Sequence, residues 1–210
     1  MKPQEKLLYL LLAAIALFVG QLYYQTQYAE KVYAETTQVY QPARELKSFE
    51  LQDQHGQPFN NKQLDGNWSL VFLGYLSCPD ICPMTMAKLS NLLPKLQSVS
   101  SQPVQVLFVS VDPARDNTSR RKEYVDYFNP NIVGLGAEHT NLFPFVRNLG
   151  LMYSIPTGED ENYFVDHSAS VVLINPEMQI AAIFKPEIKV GQVPTIDSKV
   201  VLADFQTLVE

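Results

Sequence analysis

The 210-residue sequence predicts an α/β domain carried behind a single transmembrane helix, on three observations. An apolar stretch, softened only at Gly20 and Gln21, lies near the start of the chain. Beyond it, apolar runs of strand length alternate with segments whose apolar residues recur every three or four positions. The alternation closes with two strand-like runs around a turn and one last helix, an order that describes a mixed sheet covered by helices.

The opening stretch, MKPQEKLLYLLLAAIALFVGQLYYQ, places Lys2 and Lys6 before an apolar run at residues 7–24. As a helix that run rises on the order of 27 Å, close to the hydrocarbon thickness of a bilayer. The lysines suit the cytoplasmic flank, and Tyr23 and Tyr24 the opposite interface, so residues 1–24 read as a cytoplasmic N-terminus and signal-anchor in an inner membrane. A cleaved signal peptide is the competing reading. It needs small residues after the run, where Leu22-Tyr23-Tyr24-Gln25 is bulky. Either way the remainder is expected outside the cytoplasm, most simply in a bacterial periplasm. Residues 25–47 are polar with scattered tyrosines and no sustained apolar face, which predicts a tether, with residues 48–210 as the folded domain.

Within that domain FELQD, the turn-like QHGQP and a second short extended piece read as a small hairpin. LVFLGYL at residues 70–76 is continuously apolar, as a strand buried on both faces would be. CPDICP follows directly. Met86, Leu89, Leu93 and Leu96 then keep helical spacing, with Pro94 set to kink or end the helix. VQVLFVSVD (104–112) is a second buried strand, and Thr118 is placed to cap a helix through Arg121, Tyr124, Val125 and Phe128. IVGLG (132–136) is a third strand, and Thr140 caps a helix to about Leu149. SASVVLI and QIAAIF flank Asn175-Pro176-Glu177-Met178 as an antiparallel hairpin, and a last helix spans about Thr195 to Leu208. A thioredoxin-like fold with an extra N-terminal β-hairpin fits this order, although periodicity alone does not choose it over other α/β layouts.

With a formal net charge of −6 and no basic cluster longer than Arg120-Arg121-Lys122, the chain is a poor match for nucleic acid. Its only two cysteines, Cys78 and Cys82, sit in CPDIC between a buried strand and a helix start. Pro83 suits the first helical turn, and Cys82 at the cap position would face unpaired N–H groups and the positive end of the helix dipole, which favours thiolate.

Three readings of the pair stand side by side. Outside the cytoplasm a structural disulfide is an ordinary use of two cysteines, but so small a loop gains little from closure. A redox dithiol is the second reading. A metal site is the third, and it needs a further ligand. His55 and His139 read as solvated loop residues, whereas His167, beside Asp166, directly precedes an apolar strand and reaches the cysteine loop if that strand neighbours the first buried one. Two thiolates and one imidazole suit copper better than structural zinc, which wants four protein ligands. Met84 and Met86 read as packing residues.

LSCPDICPMTM, VSVDPARD (109–116), EYVDYFNPNIVGL (123–135) and VDHSASVVLINPE (165–177), in this order over about residues 45–208, resemble the Sco/SenC family of membrane-anchored copper-binding proteins with a thioredoxin-like fold. The resemblance implies that Cys78, Cys82 and His167 bind one copper ion. It also implies a metallochaperone that helps to assemble the binuclear copper site of cytochrome c oxidase subunit II, in company with other periplasmic copper carriers and thiol reductants. Asp80, Asp112 and Arg115 match family positions and read as loop- and turn-fixing residues. Leu76-Ser77 depart from the aromatic residue or threonine often found before the first cysteine. The rival reading is a thiol-disulfide oxidoreductase acting on that target's cysteines. Peroxide reduction has little support, because Tyr75 stands where an activating threonine would be expected three residues before Cys78.

Overall fold

The apolar opening of the chain forms one continuous helix in the computed structural model, which describes residues 3–27, 31–156 and 163–209; Lys2 and residues 28–30 of the expected tether lie outside them. This helix, α1 (Pro3–Gln27), contains a 21-residue stretch, Pro3–Tyr23, of mean hydropathy 1.8, long and apolar enough to cross a membrane. It lies in the first of two units, Met1–Val32, and the rest of the architecture belongs to the second, Tyr33–Glu210.

The second unit begins with a correction. Residues 37–45, expected in the polar tether, form strand β1 (Thr37–Glu45) at the edge of the main sheet. No side chain of β1 is fully buried, and its register shifts between Val39 and Arg44. An edge strand with only half-buried positions carries no apolar alternation, so composition gives it no strand signal. The expected hairpin follows as β2 (Glu50–Gln52) and β3 (Pro58–Asn60). Its turn is tied by Asp53, whose Oδ1 accepts the N–H groups of His55 and Gln57 at 2.8 Å each.

The remaining elements alternate as expected: β4 (Trp68–Gly74), α2 (Ile81–Val99), β5 (Val104–Ser110), α3 (Thr118–Phe128), β6 (Val133–Leu135) and α4 (His139–Leu149). Two short strands, β7 (Tyr153–Ser154) and β8 (Asp166–His167), pair with each other. The hairpin β9 (Val171–Ile174) and β10 (Gln179–Phe184) and helix α5 (Ser198–Val209) close the domain. The six-stranded sheet runs β1-β10-β9-β4-β5-β6, with β4, β5 and β6 parallel and β9 antiparallel to β4. Every residue of β4 and β9 is buried, as their apolar sequence, broken only by Ser69, requires of central strands. This is the mixed α/β layout of the thioredoxin-like fold.

Helix starts depart from the sequence expectation by one to three residues. Asn117, not Thr118, caps α3 by accepting the Arg120 N–H at 3.0 Å, and α4 starts at His139 rather than behind Thr140. Asp197 accepts the Lys199 N–H at 2.7 Å at the start of α5, while Thr195 is buried and takes a hydrogen bond from Lys88 Nζ. Helix α2 passes through Pro94 to Val99, because its apolar face against β5 and α5 outweighs the one backbone bond that proline removes.

Candidate metal centre

Strand β4 ends at Gly74, and the loop to α2 carries the first cysteine. A side chain at Gly74 has no room: a Cβ there would lie 2.6 Å from the Phe108 ring and 3.1 Å from Cys82 Sγ. The chain then turns, with the Cys78 N–H donating to the Tyr75 carbonyl at 3.2 Å, and α2 begins at Ile81. Asp80 occupies the cap position, but its side chain makes no capping hydrogen bond, contrary to the loop-fixing role expected of it. Instead the Cys78 sulfur does the work of a cap, accepting the Cys82 N–H at 3.4 Å. Cys82 itself lies inside the first turn and is fully buried, whereas Cys78 is half-buried.

The two sulfurs therefore differ, and not as the sequence suggested. Cys78 is the anionic one, lowered to about 4 by the hydrogen bond from the Cys82 thiol, with the backbone N–H groups of Cys82 and Asp80 adding to the effect against the cost of burial. Cys82 is held strongly upward, because its proton is shared with the Cys78 sulfur and its site is dry. Reduced and metal-free, the pair carries one proton.

The third donor arrives from the far side of the sequence. Because β9 runs antiparallel beside β4, with Val171 opposite Phe72, the segment before β9 returns over the cysteine loop. His167 Nε2 lies 3.3 Å from Cys82 Sγ, and Nδ1 lies 3.1 Å from the Ser168 carbonyl. A carbonyl only accepts, so this bond puts the ring proton on Nδ1 and leaves the Nε2 lone pair facing the sulfurs. The rings of Phe72 and Tyr75 meet the imidazole edge-on at 6.1 and 6.0 Å.

The ligand atoms of Cys78, Cys82 and His167 all lie within 4.8 Å of one another, and no fourth histidine, cysteine or carboxylate joins them among the described residues. Three such donors around one ion in a plane stand roughly 3.5–4 Å apart at ordinary metal–sulfur and metal–nitrogen bond lengths, so the site closes on a metal with small side-chain movements. Two soft sulfurs and an imidazole without a fourth protein ligand suit copper. The other residues weighed from the sequence are elsewhere. Met86 is fully buried in the core and Met84 is exposed. His55 is exposed in its turn, and His139 stands on α4 with Nδ1 2.8 Å from the Tyr153 hydroxyl.

Several supporting residues escaped the sequence reading. Asp116, buried at the end of the turn after β5, accepts the Leu76 N–H at 2.9 Å and the Ser110 hydroxyl at 2.7 Å, and so holds the start of the cysteine loop. Tyr163, four residues before His167, donates its hydroxyl to Asp112 Oδ1 at 2.7 Å. The only sequence signals were the second aspartate of VSVDPARD and a tyrosine near VDHS. Neither announces a partner so distant in sequence. Asp112 and Arg115, expected to fix that turn, form an ion pair there, and Arg115 also reaches Tyr163.

The family model described as SCO1/SenC matches residues 37–198. The chain is similar to a SCO2-like protein of Rickettsia felis, 32% identical over 83% of this chain and 88% of that one. It also resembles the mitochondrial SCO2 homolog of Mus musculus, 38% identical over 61% of this chain, and it spans only 51% of the mouse protein's length. Among solved structures it superposes on yeast Sco1 crystallised with copper bound, at a TM-score of 0.67 with 31% identity, covering 77% of this chain and 86% of that one.

Proposed function

The chain belongs to the SCO1/SenC family, and from that premise we propose that it carries copper, as Cu(I) or Cu(II), on Cys78, Cys82 and His167, and delivers it to the binuclear copper site of cytochrome c oxidase subunit II. One observation carries the reading: two sulfurs, one already anionic, and an imidazole nitrogen with its lone pair free converge within 4.8 Å. Helix α1 anchors the protein as a single pass through the inner membrane, with Tyr33–Glu210 in the periplasm. Copper carriers upstream and thiol reductants complete its set of partners.

The chain's own groups set the transfer. Cys78 takes copper first, as the more accessible and anionic sulfur. Cys82 follows by giving up the one shared proton, and His167 closes the set through Nε2. An incoming cysteine pair replaces these donors one at a time, from the Cys78 side, since Cys82 is buried. Oxidation of the pair to a disulfide removes both thiolates and abolishes loading. The test is direct: the full chain, purified reduced in detergent, is given one equivalent of Cu(II). A thiolate-to-copper charge-transfer band is expected, altered in His167→Ala. Absence of the band, or an identical band in His167→Ala, overturns the three-ligand site.

The contrast between the two sulfurs also supports a second activity, thiol-disulfide exchange on the same target. The Cys78 thiolate attacks a target disulfide and releases one target thiolate. Cys82 then loses its proton, attacks Cys78 in the mixed disulfide and releases the second. The target gains two electrons, and CPDIC ends as a disulfide that a thiol reductant must reopen. His167→Ala separates the two: exchange survives it, whereas copper delivery does not.

A further inference from the structure

Strand β8 has two residues and pairs with a strand of two. So short a ladder is a weak fixture for a ligand, since even a two-stranded hairpin of ordinary length is marginal alone. His167 is nevertheless held at 3.3 Å from a sulfur on a different segment. Ser168 extends the pairing by one bond, its N–H donating to the Met152 carbonyl at 2.9 Å, but these contacts hold β8 only from its C-terminal side, and the approach from Tyr163 has a fixture of its own.

The contacts around Arg115 supply it. Its Nη1 donates to the Tyr163 carbonyl at 3.0 Å, and its guanidinium lies over the Tyr163 ring, 3.6 Å from the centroid. Its Nε donates to Asp112 Oδ2, while the Tyr163 hydroxyl donates to the other oxygen of the same carboxylate. Asp112 is wholly buried, so both of its oxygens are satisfied by groups that join two loops. On its other side the guanidinium is 5.6 Å from the centroid of the Tyr75 ring. Tyr75 in turn meets the His167 ring edge-on, and its carbonyl takes the Cys78 N–H. One side chain thus touches the loop that ends in His167 and the loop that starts the cysteine motif, from a turn belonging to neither.

We propose that Arg115 is a positioning residue of the metal centre, clamping Tyr163 against Asp112 and Tyr75 so that His167 stands at coordinating distance from the cysteine pair. The inference rests on the three-ligand reading above. Arg115 touches no metal and acts only through the two loops. A lysine would keep the charge but neither the flat stacking face nor the paired donors. Groups that orient a ligand from outside the donor set are worth about 10–100-fold in metal affinity.

The experiment uses the full chain in detergent, reduced, with copper alone as the probe, and compares Arg115→Ala with His167→Ala and the unsubstituted protein. Affinity is read by competition with a chelator, and the ligand set by the Cu(II) charge-transfer band and the nitrogen coupling in the EPR spectrum. The expected result for Arg115→Ala is two free thiols, about 10–100-fold weaker copper binding and a spectrum moved towards that of His167→Ala. Unchanged affinity, or weaker binding with an unchanged spectrum, overturns the clamp while leaving the ligands standing. If His167→Ala itself matches the unsubstituted protein, the three-ligand reading falls and takes the clamp with it. Should Arg115→Ala fail to fold, Tyr163→Phe, which removes only the hydroxyl to Asp112, carries the test. A smaller loss with the same spectral direction supports the clamp, and no change overturns it.

Discussion

Cys78 and Cys82 share a motif of five residues and behave as opposites, because the helix begins between them. The Cys78 sulfur receives a first-turn N–H, while Cys82 turns into the core beneath Gly74. In the reduced, metal-free protein the Cys78 thiolate fraction is complete wherever the pH stands well above about 4. Alkylation of Cys78 by iodoacetamide is therefore expected to keep a level rate from pH 8 down to about 5.5 and to fall only as protonation sets in near its lowered value. A rate that drops tenfold per unit below pH 8, as for an ordinary thiol, contradicts this assignment. Cys82, protonated and buried, is labelled far more slowly across the range. Gly74→Ala forces a methyl against Phe108 and the Cys82 sulfur, for an expected loss of about 1–3 kcal/mol in urea unfolding together with weaker copper binding. The sequence located both cysteines but reversed their roles, since a helix start two residues earlier than expected exchanges which sulfur faces the N–H groups and which faces the core.

At the scale of elements, legibility followed burial. Strands β4, β5 and β9 are apolar but for Ser69, Gln105 and Ser110 because helices or neighbouring strands cover them, and such runs are readable without any partner. Strand β1, TQVYQPARE, has the composition of a tether, because an edge strand needs no apolar face to hydrogen-bond along β10. It also supplies Arg44, whose Nη2 donates to the Asn148 carbonyl in the last turn of α4. A chain trimmed to begin at residue 48, the boundary composition suggests, leaves β10 as an open edge. Its expected behaviour, against a chain beginning at residue 33, is a lower urea midpoint and concentration-dependent association in sedimentation. Equal midpoints and two monomers would show that β1 is dispensable. The loop-to-loop contacts of Asp112, Asp116 and Tyr163 were illegible for a different reason: polar side chains announce no partner by periodicity, and only the fold brings residues 75, 115 and 163 together.

Across the whole molecule, metal binding and folding are linked, since the unfolded chain holds the cysteine pair but separates it from His167 by 85 residues. Free copper at a hundred times its dissociation constant stabilises the folded state by about 2.7 kcal/mol, a rise of roughly 5–10 °C in Tm for a domain of this size. Calorimetry on the reduced full chain checks the value. The same addition after oxidation to the Cys78–Cys82 disulfide is expected to leave Tm unmoved, and an equal rise there would mean that copper binds elsewhere.

The antiparallel placement of β9 beside β4 has a consequence for the life of the newly made chain. CPDIC emerges early in synthesis, and its two sulfurs can meet copper at once, but the imidazole appears only after most of the domain has been made, and it reaches them only when the hairpin ending at Phe184 has docked on β4. Complete coordination is thus a certificate of finished folding. A chain still assembling its sheet presents two of the three proposed donors at most, so the complete proposed site is reserved for molecules whose sheet has closed.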